Sequence, residues 1–392
     1  MRDWAEWQAG PEYTLGVEEE VMLLNPHDWS LAQQVERVLP TLSAELSEHV
    51  TPETHRSALE IGTGVHQTVA DLAKELLQLR SALDGELAPL GLGAASAGTH
   101  PFTVWQETVV SSGSRYEMVY GSMRELARRE PTFALHVHVS VADPEDAIGL
   151  VNRMRAHLPL LLALSVNSPF WQGRDTGLAS ARTPLFQAFP RVGIPRAFEG
   201  YDDWVETVDL LMRCDAFPEP TFLWWDVRPQ PRFGTVEVRI LDAQTGVAET
   251  AALAALVQCI ARLEVQEGYA SEQLVRMTEA LDENRFIAAR DGMDAELISP
   301  EEEVRRPARE QLASLLEACA PHASDLGCEA ELEPIGSMGE TTGAERQLAL
   351  ARRGNRLRGL VEDLAGAFLV DSYPALQDPA GSFTPAPGPR GA

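Results

Sequence analysis

Gly16-Val17-Glu18-Glu19-Glu20-Val21 sets carboxylates into an apolar strand. The same construction returns in Leu135-His136-Val137-His138-Val139 and in Thr235-Val236-Glu237-Val238-Arg239-Ile240. Side chains alternate across a strand, so Glu18 with Glu20, His136 with His138, and Glu237 with Arg239 each share a face. Val17, Val137, Val139, Val236, Val238 and Ile240 take the other face and build a core. Glu19 falls among the valines, which places it at a bulge or on a partly exposed face. Carboxylates and imidazoles on strand interiors are costly to bury unless something pairs with them. A divalent cation with a phosphorylated ligand fits the whole set, which points to an enzyme handling ATP.

That enzyme lacks a P-loop. The chain has one lysine, Lys74, and no G-x-x-x-x-G-K-[ST]. Lys74 lies on the amphipathic stretch 67–90 and reads as a solvated surface residue. Phosphate binding therefore falls to arginine, backbone amides and metal. The formal charge of −27, from 59 acidic and 32 basic residues, argues against nucleic acid and anionic membrane surfaces as partners. The longest apolar run, 158–166, is too short to span a bilayer. Four cysteines without a C-x-x-C pattern, Cys259 among them on an apolar helix, and an N-terminus without a hydrophobic leader point to a reduced, cytoplasmic protein. A homo-oligomer stays open.

Along the 392 residues, strands are expected at 12–25, 58–63, 91–98, 133–141, 222–228 and 234–241. Helices are expected at 30–48, 67–90, 114–130, 143–165, 201–213, 248–291, 301–320 and 341–368. Helices cluster between strands without strict βαβ alternation, so the fold class is α+β, with a mainly antiparallel sheet. Residues 1–370 read as a single catalytic unit and 371–392 as a Pro/Gly/Ala-rich disordered tail. The irregular stretch 167–200, with Arg174, Arg182, Arg191 and Arg196, is the candidate cover of the site.

Each motif has a plainer alternative. Glu18 to Glu20 could form a solvated edge strand, the histidines a core pair, and Glu237 with Arg239 a surface ion pair of little worth. An H-x-H strand also occurs in zinc hydrolases, so a zinc-dependent amidohydrolase competes, as does a non-catalytic binding protein. Three paired-polar strands in one chain, with Glu60 on a fourth, favour a joint function.

Gly16-Val-Glu-Glu-Glu20, Gly98-Thr-His-Pro-Phe102, His136-Val-His-Val139, Asn167 to Gly177, Trp224-Trp-Asp-Val-Arg-Pro229, Arg232 to Arg239 and Glu283-Asn-Arg285 resemble, in order, the bacterial carboxylate–amine ligases called glutamate–cysteine ligase type 2. The resemblance covers about 12–368 and extends to glutamine synthetase. It implies a curved half-barrel sheet and ATP-dependent amide formation through an acyl phosphate. The substrates it implies are L-glutamate and L-cysteine, with a different amine as the alternative. It implies that Glu18, Glu20, Glu60, His136 and Glu237 bind Mg²⁺ or Mn²⁺. His138, Arg239 and Arg285 would meet the nucleotide phosphates, and Arg239 with Arg232 would act in catalysis. Arg228, Trp225 and His100 would contact substrate. Phe133-Ala134 and Ser140 depart from the Cys-Gly and Gly that often flank the His strand of that family, beside the expected amine pocket.

Overall fold

The computed structural model describes residues 3–129, 131–353 and 357–370. Its main sheet has seven strands: β1 (Leu15–Leu24), β2 (Val50–Pro52), β3 (Ala58–Gly62), β4 (Gly93–Ala95), β5 (Ala134–Ser140), β6 (Val227–Gln230) and β7 (Thr235–Asp242). The order is β6-β7-β5-β1-β3-β2, with β4 on the far end of β1, and every pairing is antiparallel. This is the α+β arrangement that the sequence implies.

Register places the polar residues side by side. Glu20 faces Glu60 across β1 and β3, Glu18 faces His136 across β1 and β5, and Glu237 lies between His138 and Arg228. Between Val238 and Leu241 the pairing of β7 with β5 slips by one residue. Such a bulge re-aims the side chains within it, here at Arg239 and Ile240.

On the opposite face, Val17, Val21, Val137, Val139, Val236 and Val238 are buried in one apolar core. Three helices close it: α1 (Val69–Leu87), α2 (Pro144–Ser165) and α3 (Val247–Gln266). Thr68 caps α1 by accepting from Asp71 N, and Asp143 caps α2 by accepting from Glu145 and Asp146 N. These caps satisfy amides that a helix start leaves open. Lys74 is exposed on α1 and Cys259 is buried in α3, as expected. Among the described residues no helix is long and apolar enough to cross a membrane.

Several expectations fail locally. Residues 30–48 form no continuous helix; short turns at Val35–Val38, Leu39–Thr41 and Ala44–Ser47 replace it, because Pro40 interrupts the ladder and Ser43 starts a new cap. Residues 301–307 open on a hairpin, Glu296–Ser299 with Val304–Pro307, before the helix Ala308–Leu326. The 248–291 stretch divides into three helices, and 114–130 breaks at Arg124, whose φ is +57°. Glu19 is neither at a bulge nor exposed; it is fully buried against Arg80 of α1. The tail expected to be disordered, 371–392, lies outside the described residues.

Candidate active site

The polar face of the sheet floors a cleft of about 780 Å³. Glu18, Glu60, His136, Arg228 and Arg239 line its base, while Trp4, Gln8, Pro52, Tyr116, Trp224 and Phe233 stand in its walls. The structure assembles the expected ligand set into two triads that share one imidazole. Glu18, His136 and Glu237 form one, and Glu20, Glu60 and His136 form the other, each with donor atoms within 4.8 Å of one another.

The electrostatics divide the set. Burial, reinforced by Glu53, pushes the Glu20 carboxyl up to about 8. Burial together with Glu18, Glu53 and Glu20 raises Glu60 well above the ordinary range. Glu237 goes the other way: burial opposes its charge, but Arg228 and Arg239 hold it well below a normal carboxylate. Glu18 is likewise depressed, with His138 and His136 outweighing the cost of burial. His136 is lowered to about 4 by burial and by Arg239, so it stays neutral. His138, despite its burial, is raised by Glu237 and Glu18. Its Nδ1 meets Thr235 Oγ1 at 3.1 Å, while its buried Nε2 has no hydrogen bond and lies 3.6 Å from Glu18 Oε1.

This pattern fits a hard divalent cation. Oxygen donors with one neutral imidazole are the ligand set such ions take. Two buried carboxyls that repel one another and retain a proton are the condition that a bound cation relieves.

The remaining expected residues separate. Arg239 lines the cleft and bonds Glu237, with His136 Nδ1 3.3 Å from its Nη1. Arg232 is exposed at the mouth beside Phe233. Arg228, expected on substrate, spends its guanidinium on Glu237 and on the Thr221 and Leu223 carbonyls. Arg285 is bidentate to Asp226 and lines a small hollow behind Arg239 rather than the cleft. Trp224 stands in the cleft wall, whereas Trp225 packs on Phe198 at 5.8 Å. His100 is buried, with Nε2 donating to Trp29 O and Nδ1 accepting from Thr103 N. Segment 167–200 does not wall this cleft, but its Arg182, Phe186 and Phe189 line an adjoining hollow with Glu20, Glu53 and His136. Its Arg182 is tied to the Arg239 and Ile240 carbonyls, and Arg196 to Asp203; the walls come from 3–8, 51–53, 115–116 and 219–233.

Sequence reading missed Glu53, which lines the cleft beside Glu20 and Glu60. It also missed Gln230, whose Nε2 donates to Glu237 Oε2 at 2.7 Å. The signal for Gln230 was available: it lies two residues from Arg228 on one strand and shares its face. Glu53 gave none, because it follows the end of a three-residue edge strand.

The antiparallel sheet and the helices packed on it form a fold with solved counterparts. The glutamate–cysteine ligase from Francisella tularensis, determined in complex with AMP, superposes with a TM-score of 0.66 at 13% identity, covering 94% of this chain and 91% of that one. A bifunctional glutathione synthetase from Pasteurella multocida gives 0.67 at 12% identity, over 91% of this chain and 52% of that one. The model of glutamate-cysteine ligase family 2 matches residues 14–366. A candidate glutamate–cysteine ligase, 2-1, from Rubrobacter xylanophilus is 40% identical over 93% of this chain and 96% of its own length. A candidate from Sorangium cellulosum is 38% identical over 90% and 95%. The chain belongs to glutamate-cysteine ligase family 2.

Proposed function

We propose that the protein joins the γ-carboxylate of L-glutamate to the amine of L-cysteine, using ATP and releasing ADP and phosphate. The observation that carries this reading is the pair of triads sharing His136 beneath a cleft walled on several sides. A carboxylate that attacks a polyanionic phosphate must overcome charge repulsion. Glu18, Glu20, Glu60, His136 and Glu237 would hold Mg²⁺ or Mn²⁺, which would supply the charge neutralisation that this attack needs.

The chain's own groups do the rest. Arg239, re-aimed by the bulge, donates hydrogen bonds to the transferring phosphoryl group, and Arg232 meets outer phosphate oxygens at the mouth. His138 Nε2, on the same face and within ion-pair distance of Glu18 and Glu237 but without a hydrogen bond, would meet a further phosphate oxygen. The resulting acyl phosphate is attacked by the amine, and phosphate leaves. Walls from 3–8, 51–53 and 219–233 limit the water that would hydrolyse that intermediate.

The test is ADP release with an amine panel that includes cysteine. Turnover should require both glutamate and an amine, with Mg²⁺ or Mn²⁺ present. AMP as product, or zinc-dependent turnover without ATP, contradicts the reading. Preference for another amine over cysteine keeps the ligase and replaces the acceptor.

A further inference from the structure

Glu237 is held by two arginines that differ in every respect but charge. Arg228 stands directly opposite it across β6 and β7, 7% exposed. Its Nε donates to Glu237 Oε2 at 2.7 Å and its Nη2 to Oε1 at 3.2 Å. Its Nη1 is locked onto the Leu223 and Thr221 carbonyls at 2.6 and 3.1 Å. Gln230 adds a second bond to Oε2. Every part of that guanidinium is fixed to backbone or carboxylate, so moving it breaks several bonds at once.

Arg239 is not built in this way. Among the described residues its guanidinium contacts run through Nη1 alone: it donates to Glu237 Oε1 and lies 3.3 Å from His136 Nδ1, a nitrogen that also meets Glu18 Oε2 at 3.2 Å. Glu237 and His136 belong to one of the triads, with Glu18 as its third member. Its side chain reaches the cleft. Arg239 therefore occupies the same donors that an ion in this triad would use.

We propose that the two arginines act with opposite sign on cation binding. Arg228, with Gln230, is a positioning residue: its two-pronged grip on both oxygens fixes the carboxylate so that Oε1 faces His136 and His138, 4.0 and 3.9 Å away. Arg239 is a stand-in cation on Oε1 that a bound ion displaces, and its release into the cleft frees it for phosphate. The inference rests on the cation site of the proposed function. It differs from simple charge balance, under which removing either arginine lowers the local positive charge and tightens cation binding.

The experiment is Mn²⁺ binding to the nucleotide-free full-length protein, followed by the electron paramagnetic resonance signal of free Mn²⁺, with thermal unfolding as the check on folding. Arg239→Gln should tighten binding about 10-fold, the worth of one charge-assisted hydrogen bond that the ion no longer displaces. Arg228→Lys keeps the charge but loses the two-pronged hold, and should weaken binding by roughly 10- to 100-fold. If that variant does not fold, Gln230→Leu removes the other bond to Oε2 and must weaken binding in the same direction. Arg239→Gln binding no tighter than wild type overturns the proposal, as does Arg228→Lys, or Gln230→Leu in its place, binding as tightly as wild type. A separate result marks failure of the cation site itself: wild type that takes up no Mn²⁺, or Glu237→Gln that binds like wild type.

Discussion

Glu19 and its two neighbours on β1 meet opposite fates one residue apart. Glu19 points into the core, where Arg80 Nε and Nη2 donate to its two oxygens at 2.8 and 2.6 Å and Thr250 Oγ1 donates at 2.9 Å. The rest of that guanidinium is bonded to the Gln244, Thr245 and Phe368 carbonyls. One buried anion thus meets one buried cation. Glu18 lines the cleft with Glu53 and Glu60, Glu20 lines the adjoining hollow with Glu53, Glu237 lies beside Glu18 and His136, and Glu20 and Glu60 lean toward the protonated form. The first cluster is neutralised within the chain; the second gathers more carboxylates than it pairs, which is the charge pattern behind the proposed cation site. Buried charge by itself does not mark a function, whereas an uncompensated excess of one sign does.

The comparison breaks most visibly in turnover. Glu18→Gln should cut ligase turnover by on the order of 100-fold or more, since changes to groups behind metal ligands already cost 10- to 100-fold. Its circular dichroism should remain that of wild type. Normal turnover at limiting Mg²⁺ would remove Glu18 from the site.

Arg80→Ala probes the closed cluster. It strands Glu19 in the core, and the loss of one partner from a buried pair costs about 3–5 kcal/mol. Urea denaturation should show that loss, while the folded fraction retains its Mn²⁺ affinity. A change in affinity without a change in stability would join the two clusters that the account separates.

Much of this was legible in the sequence. Alternation within three strands put Glu18 with Glu20, His136 with His138 and Glu237 with Arg239 on shared faces that the register then brought together, because period-2 patterning fixes faces without knowledge of neighbours; the ligand roles came from the family resemblance. Which basic residue meets which acid was not legible. Arg228 and Arg285 belonged to the right motifs, yet their guanidiniums are committed to Glu237 and Asp226. Arg80, one position on an amphipathic helix, gave no sign of reaching Glu19, because that pairing depends on how α1 lies on the sheet. The helix expected over 301–307 failed for a related reason: a Glu run is compatible with a helix, but here it turns a hairpin.

His100 extends the comparison to pH. Like His136 it is lowered to about 4, but by burial alone and outside the cleft, with both ring nitrogens bonded. The unfolded chain takes this proton near 6.5, whereas the folded chain resists it until about 4. Its contribution to stability is therefore present above 6.5 and is lost as pH falls through that window. His100→Asn should flatten the decline between pH 7 and 4.5 by on the order of 2–3 kcal/mol in urea denaturation. An unchanged decline would mean that the imidazole is protonated in the folded state.

The central claim, that the cleft carboxylates are an excess awaiting a cation, is tested most directly by the thermal midpoint of wild type and Glu20→Gln at pH 9, in EDTA and in Mg²⁺. Glu20 in the folded chain titrates near 8, above its ordinary value, so stability without metal falls as pH rises through that range. Gln keeps an acceptor for the Ala134 amide, which donates to Glu20 Oε2 at 2.7 Å, but carries no charge. The account predicts that Glu20→Gln melts higher than wild type in EDTA and gains less from Mg²⁺. A variant that melts lower in EDTA, or gains as much from Mg²⁺ as wild type does, contradicts it.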